Sequence, residues 1–289
     1  PCTIKDFLGC TGLPHTGGLL ARKDHYAQED ATVVQRLKAA GAIILGNTNV
    51  PEGGLWMETH NLIYGRTQNP WRKGFSPGGS SGGEGAIVAA GGSPFGLGSD
   101  IGGSIRIPAA FCGTPGHKPS GRLVPNTGHF PGGDEGVAAF LVTGRLARRV
   151  EDLQAVMEII AGPDGADPVC REMAWADTLP ADMSDVVVYP VETNGRARVS
   201  KEMRQAIRDS ADALAARGAK IVDRDFPLLK KGFDIWASML SEGAEEHYDV
   251  VLGQGEAINL WRQILKLPLR RADHTYHALL MTLADKLTG

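Results

Sequence analysis

The sequence predicts an α/β fold built around a mixed, largely parallel sheet. Short apolar runs typical of buried strands alternate along the chain with stretches whose apolar residues recur at helical spacing. Alternation of this kind favours strands and helices that pack as layers of one fold. The 289 residues, with 42% apolar content, are enough to bury a sizeable core.

The first half of the chain supplies a strand, a helix and two further strands. The chain opens at Pro1 in a predicted strand, which indicates that an N-terminal segment is missing. Asp30 is placed to cap a helix that ends at Gly41. The apolar face of that helix consists of Val33, Leu37 and Ala40. Residues 42–45 and 95–97 are predicted to be short buried strands.

The second half continues the alternation and then becomes helical. A helical stripe that stops at Gly162 consists of Leu153, Val156, Met157 and Ile160. Ser200 is placed to cap a further helix between predicted strands at 186–189 and 221–222. The apolar face of this helix consists of Met203, Ile207, Ala211 and Leu214. The stretch 258–271 is apolar and basic, which is typical of a core-facing helix or of one that lies on a membrane or covers a substrate entrance.

Composition excludes several classes of protein. A net charge of -3 gives no reason to expect nucleic acid or an anionic membrane as the main partner. The four cysteines show neither a CxxC pair nor metal-ligand spacing with histidine, so we predict thiols in a reducing compartment, no metal and no cofactor. No run approaches the roughly 20 apolar residues of a membrane-spanning helix. A cytoplasmic location is the resulting expectation.

The glycines are the most informative compositional feature. They crowd into residues 74–136, where the backbone can approach other groups closely. A flexible linker would lack large apolar residues, but this stretch contains Ile87, Val88, Phe95, Leu97, Ile101, Ile105, Ile107 and Phe111. The pattern predicts a packed site.

Two serines in that stretch lie in glycine-rich settings, Ser80 within 78–82 and Ser104 within 100–104. A hydroxyl group between glycines is accessible, and neighbouring amides can converge on an anion. For Ser104, an oxyanion hole could be formed by the amides of Ile101, Gly102, Gly103 and Ser104.

The residues alone leave other interpretations open. Residues 79–83 match the G-x-S-x-G elbow with Ser81 as nucleophile, but the preceding stretch 68–74 is typical of a loop and not of the strand that the elbow needs. A dinucleotide motif is incomplete because Ile101 stands where its third glycine belongs. A non-catalytic anion-binding nest fits the same glycines. None of the eight histidines has a local context that marks it as the base of a serine nucleophile.

Two blocks of sequence resemble the amidase signature family. They are GGSSGGEGA at 78–86 and GSDIGGSIRIPAAFCG at 98–113, and the upstream TIKD at 3–6 is similar to the family's strand with the catalytic lysine. The flanking sequences look most like fatty-acid amide hydrolases of the second type: GRTQNPW at 65–71, GHKPS at 116–120 and VPNTGHFP at 124–131.

The resemblance implies a Ser-Ser-Lys triad. Lys5 would be the neutral base, Ser80 the proton relay and Ser104 the nucleophile that forms an acyl-enzyme. Ser81 and Asp100 would orient the network, and Arg106 would support the loop.

Such a base makes one physical demand. A lysine with an ordinary pKa of about 10.4 must have its pKa lowered by about 3 units to act near neutrality. Burial of Lys5 beside hydroxyl groups and away from carboxylates would do this. Asp6 follows Lys5 directly, but successive strand side chains point to opposite faces, so the two need not pair.

The resemblance also implies an architecture. It is one amidase signature domain over 1–289, with a catalytic core at 1–162 and peripheral strands and helices at 163–289. Helices would cover both faces of a twisted sheet, and the chain would be a fragment that lacks N-terminal and C-terminal parts.

The implied substrate is a small-molecule amide, fatty or aryl, bound near Gly54, Leu55 and Met57. A homodimer and membrane association stay open. The rival functions are a catalytically silent amidase-like binding protein and the glutamine-hydrolysing subunit of an amidotransferase.

Overall fold

A five-stranded mixed sheet forms the centre of the computed structural model, which describes residues 1–133, 135–174, 182–244 and 246–288. Its strands, in chain order, are β1 (Cys2–Lys5), β2 (Ile44–Thr48), β5 (Phe95–Asp100), β6 (Gly116–His117) and β7 (Val142–Ala147). The spatial order is β2-β1-β5-β7-β6. Strand β1 pairs in parallel with β2 and β5, while β7 is antiparallel to β5 and β6. Strand β6 therefore runs with the parallel strands, and the predicted mixed, largely parallel sheet is confirmed.

Short strand pairs and helices complete the described secondary structure. The remaining strands are β3 (His60–Asn61) with β4 (Gly65–Arg66), and β8 (Val187–Val188) with β9 (Lys220–Ile221). The helices are α1 (Thr32–Ala39), α2 (Gly82–Ala89), α3 (Arg106–Cys112), α4 (Glu135–Ala138), α5 (Val150–Ile160), α6 (Lys201–Ala215), α7 (Gly232–Gly243), α8 (Tyr248–Leu252), α9 (Leu260–Lys266) and α10 (Tyr276–Thr288).

Helices pack against both faces of the sheet. Successive side chains of β1 and β5 point to opposite faces, so each strand contacts helices on both sides. Cys2, Ile4 and Leu97 share one core cluster with the apolar faces of α1 and α5. On the opposite face, Thr3 contacts a side chain of α2. Gly98 lies against Ser81, at the start of α2, and against Ile105, which precedes α3.

Two predicted helix starts have different outcomes. The Ser200 cap is confirmed, because its side chain accepts a hydrogen bond from the Met203 amide. The Asp30 cap is wrong: α1 begins after Ala31, which makes no side-chain cap. The Asp30 carboxylate instead accepts from the Thr11 amide and from Lys38 Nζ.

The predicted basic amphipathic stretch 258–271 is helical only at Leu260–Lys266. Pro268 follows two residues later, and proline cannot continue a helix without losing a hydrogen bond and clashing with the preceding turn.

The described residues divide into two compact units. The first comprises Pro1–Met173 and Glu242–Gly289, and the second comprises Ala174–Ser241. Within the first, the C-terminal helices are tied to the loop before β3, because the Tyr248 hydroxyl donates to the Glu52 carbonyl at 2.9 Å. The Glu52 carboxylate also accepts from the Thr275 amide at 2.7 Å. The single domain over 1–289 stays a prediction.

Candidate active site

The candidate site lies where the parallel strands β1, β2 and β5 end. Lys5, Thr48 and Asp100 are the last residues of these strands. The register pairs Lys5 with Thr48 directly. Because parallel strands end at one edge of a sheet, the three side chains are brought together there, the usual place for a site in α/β folds.

Lys5 is completely buried, with 0% of its surface exposed. Its Nζ donates to Ser80 Oγ at 2.7 Å, to Ser99 Oγ at 3.1 Å and to the Ser99 carbonyl at 3.2 Å. The same Nζ lies 4.5 Å from the centre of the Phe7 ring. All three hydrogen-bond acceptors are neutral oxygens, which leaves the ammonium form without a directly bonded counter-ion.

Burial lowers the pKa of Lys5 to about 7, against the opposing charges of Asp100 and Glu84. The sequence analysis requires a lowered pKa for Lys5, and the structure gives a shift in that direction. The expectation that Lys5 lies away from carboxylates is wrong, because two carboxyl groups act on it. Asp6 does not, since its carboxylate accepts from the amide and the hydroxyl group of Thr16.

Ser80 and Ser81 lie immediately before α2, and only Ser80 bonds to Lys5 through its hydroxyl group. The Ser81 hydroxyl donates to the Ser99 carbonyl at 3.2 Å and accepts from the Ser99 amide at 3.3 Å. Residues 67–81 contain no strand, so the nucleophile-elbow alternative for Ser81 lacks the strand that it requires. Ser81 instead holds the start of α2 against β5.

Asp100 shapes the loop that carries Ser104. Its carboxylate accepts from the amides of Gly103 at 2.7 Å and Ile105 at 3.0 Å. It also accepts from Arg106 Nε at 3.1 Å and Nη2 at 2.9 Å. Burial opposes ionisation, but the bonds from Arg106 and these amides hold the pKa of Asp100 below its usual value. This geometry fits the supporting roles expected for Asp100 and Arg106.

Ser104 is half-buried, and its carbonyl accepts from the Ser81 amide at 3.0 Å, which joins the two serine segments. The hydroxyl contact between Ser80 and Ser104 stays a prediction. The four-amide oxyanion hole over Ile101–Ser104 also stays a prediction. A bound oxyanion would share the Gly103 amide with Asp100, because that amide already donates to the carboxylate.

The predicted substrate-binding segment lies beside this site. Gly54 has a φ of +87°, and a Cβ added there would meet the Phe7 ring at 2.7 Å. A Cβ on Gly79 would meet the Trp56 carbonyl at 2.7 Å, so the segment after Gly54 also touches the residue before Ser80. Leu55 and Met57 are 37% and 57% exposed. Their contact with a substrate stays a prediction.

Sequence reasoning missed Ser99 and Thr48, described above, and also Glu84. Glu84 lies in α2, is fully buried, and accepts from Thr3 Oγ1 at 2.6 Å and from Thr48 Oγ1 at 2.8 Å. Burial raises its pKa to about 7. The sequence did contain a signal for it. Glu84 is the only charged residue in the glycine-serine block at 78–86, and a buried acidic side chain is rare unless other groups bond to it.

Neither a metal site nor a membrane-spanning helix is found in the described residues. In the ranges given above, no group of three or more His, Cys, Asp or Glu side chains is arranged to hold a metal ion. Within the same ranges, no helix combines the length and apolar character needed to cross a bilayer.

The fold and the site together define the class of protein. The chain belongs to the amidase family, whose sequence model matches residues 1–272. It is 39% identical to human (Homo sapiens) fatty-acid amide hydrolase 2 over 246 residues, which cover 83% of this chain and 45% of the relative. It is 37% identical to an acylamidase of Rhodococcus erythropolis over 257 residues, or 87% of this chain and 52% of the relative.

A comparison with solved structures shows a similar fold. A 6-aminohexanoate cyclic dimer hydrolase, solved with its substrate, superposes with a TM-score of 0.74 at 29% identity and covers 99% of this chain and 62% of that one. The chain thus spans about half the length of the relatives it matches in sequence.

Proposed function

We propose that the protein is an amidase that hydrolyses a carboxylic amide to an acid and an amine or ammonia. The observation that carries this proposal is the 2.7 Å hydrogen bond from the buried Lys5 Nζ to Ser80 Oγ. A lysine whose pKa is lowered to about 7 by burial is neutral in a large fraction of molecules near neutrality. It is therefore a competent base for a serine hydroxyl group.

The chemistry follows from this base. Neutral Lys5 takes the proton of Ser80, and Ser80 takes that of Ser104. Ser104 Oγ attacks the amide carbonyl, and amides near Ser104 stabilise the oxyanion. When the C–N bond breaks, the proton returns along Ser80 to the leaving nitrogen. Water then gives up a proton by the same route and attacks the acyl-enzyme, which releases the acid and restores Ser104.

Fatty or aryl amides are the proposed substrate class. The relatives named above include a fatty-acid amide hydrolase and an acylamidase. Leu55 and Met57 offer exposed apolar surface beside the triad. We expect faster hydrolysis of a fatty primary amide or an anilide than of glutamine. Faster hydrolysis of glutamine would favour the amidotransferase-subunit alternative.

A fluorophosphonate probe tests the nucleophile without knowledge of the substrate. We expect one adduct, mapped by mass spectrometry to Ser104, and its loss in Ser104→Ala and Lys5→Ala. Lys23→Ala is the matched control, because Lys23 is exposed and should leave labelling unchanged. Folded protein that takes no label would favour a catalytically silent binding protein, and an adduct on another serine would refute the assignment of Ser104.

A further inference from the structure

The Glu84 side chain extends from α2 and lies against strands β1, β2 and β5. Its Oε2 accepts from Thr3 in β1, and its Oε1 accepts from Thr48 in β2. Its carboxyl group also lies against β5, because a Cβ on Gly96 would stand 1.8 Å from Oε2. The side chain thus crosses from α2 to the strands on either side of Lys5. A well-packed apolar side chain would cost less free energy to bury than this carboxyl group does. We therefore expect the carboxyl group to have a role in the site.

We propose that Glu84 is a positioning residue for the Lys5 base, an inference that rests on the proposed amidase function. Its carboxyl group fixes α2 against β1 and β2, and its negative charge helps Lys5 to keep its proton. An ionised Glu84 favours the ammonium form of Lys5, and a protonated Glu84 releases Lys5 to act as a base.

The hydrogen bonds around Glu84 are compatible with both charge states. When Glu84 is ionised, both threonine hydroxyls donate to it at 2.6 and 2.8 Å. When Glu84 is protonated, its O–H can donate to Thr48 Oγ1. The Thr48 hydroxyl then has an alternative acceptor, the Ile4 carbonyl at 3.4 Å. A proton can therefore reside on Glu84 without leaving a buried group unpaired.

Three other titratable groups around Lys5 keep one charge state near neutrality. Arg106 neutralises Asp100, whose pKa is lowered. Burial raises the pKa of Cys2 to about 11 and lowers that of His129 to about 3, so both are uncharged.

Asp6 follows Lys5 in sequence, and burial raises its pKa to about 6, but its carboxylate faces Thr16. The charge of Glu84 raises the pKa of Lys5 and the charge of Lys5 lowers the pKa of Glu84, each against the larger effect of burial, so the two groups titrate as a coupled pair.

The test is the pH profile of Ser104 labelling by a fluorophosphonate in Glu84→Gln. The amide keeps the shape and one acceptor oxygen but removes the charge. We expect the midpoint of the rate profile to move to lower pH by about one unit. Labelling below the wild-type midpoint becomes about tenfold faster as a result. Glu158→Gln is the control, because this exposed side chain of α5 bonds to Gln154 and its profile should be unchanged.

Thr3→Val covers the case in which Glu84→Gln does not fold. It removes one donor to the Glu84 carboxylate and leaves Thr48 as the acceptor for the protonated form, so protonated Glu84 is favoured and the midpoint should move in the same direction by a smaller amount. A purely structural Glu84 would change thermal stability and the maximal rate but leave the midpoint in place. An unchanged or higher midpoint in a folded variant overturns the proposal.

A second readout separates this inference from the proposed function. In protein with ¹³C-labelled lysine, the Lys5 Cε resonance reports its protonation directly. A lower Lys5 titration midpoint in Glu84→Gln supports the coupling even if Ser104 never takes the label. Normal labelling with an unchanged Lys5 titration refutes the coupling and leaves the amidase proposal intact.

Discussion

At the residue scale, burial explains the lowered pKa of Lys5. Water stabilises an ammonium ion strongly, and at this position neutral oxygens from Ser80 and Ser99 replace the water. The loss of solvation outweighs the attraction of Asp100 and Glu84, which is why the pKa of Lys5 falls from 10.5 to about 7. The burial that lowers the pKa of Lys5 therefore costs folding free energy whenever Lys5 must be charged.

This cost predicts a pH dependence of stability at the residue scale. Between pH 7 and 10.5 the unfolded chain holds a proton on Lys5 that the folded chain has released. Raising the pH through this window therefore favours the folded state, by up to about 1.4 kcal/mol per pH unit. Lys5→Met has no such group, so the difference in unfolding free energy between wild type and Lys5→Met should grow with pH in wild type's favour.

Urea denaturation of both proteins at a series of pH values measures this difference. The subtraction cancels the titration of the other lysines and tyrosines. A difference that stays constant, or that shrinks as the pH rises, would mean that folded Lys5 keeps its proton.

At the scale of elements, helix α2 approaches β5 through glycines. A Cβ on Gly98 would lie 2.8 Å from Ser81 Oγ, and one on Gly96 would overlap Glu84. Side chains at these positions would move the start of α2 away from the sheet, and Ser80 would move with it. The glycine-rich stretch is therefore a packed site, as its composition predicts.

Gly98→Ala tests this close approach. We expect a loss of about 1–3 kcal/mol in unfolding free energy, because the added methyl group overpacks the interface. Ser104 labelling should slow as Ser80 is displaced from Lys5. Gly132→Ala is the matched control, since among the described residues beyond its chain neighbours no atom lies within 4 Å of the position that its added methyl group would take. Denaturation and labelling of both variants measure the effects, and equal behaviour of the two would show that α2 does not depend on the glycine.

The elements also show which parts of the fold the sequence can predict. Helix α5 and its buried Val156, Met157 and Ile160 follow from periodicity alone. The sequence places strand β2 at 42–45, but the strand runs from Ile44 to Thr48, because pairing with β1 extends it through polar residues that carry no strand pattern. Propensity has little weight where a neighbouring strand supplies the hydrogen bonds.

The residues of the site likewise divide into those that the sequence predicts and those that depend on contacts between distant elements. The resemblance to a family, and not periodicity, points to Lys5, Ser80 and Ser104, because a triad of these residues depends on contacts between residues far apart in sequence. The role of Glu84 depends on Thr3 and Thr48, which belong to two other elements. No local pattern connects these three residues.

At the scale of the whole molecule, the chain covers about half the length of its sequence relatives. The described residues nevertheless form the five-stranded sheet and the hydrogen bond from Lys5 Nζ to Ser80 Oγ. Exposed apolar side chains in and near α9 include Trp261 at 67% and Leu265 at 76%. In the described part of the chain, the residues that hydrogen-bond to Lys5 Nζ lie within Pro1–Met173, in the first unit. The pH dependence proposed for Lys5 can therefore be tested on this chain directly.

The proposed activation of Ser104 by neutral Lys5 through Ser80 can be followed in the rate of Ser104 labelling as a function of pH. Labelling requires the deprotonated amine, so the rate should rise with a midpoint near pH 7 and level off above it. Lys5→Ala should abolish the rise. A rate that is independent of pH, that falls as the pH rises, or that keeps the same rise in Lys5→Ala would contradict the account.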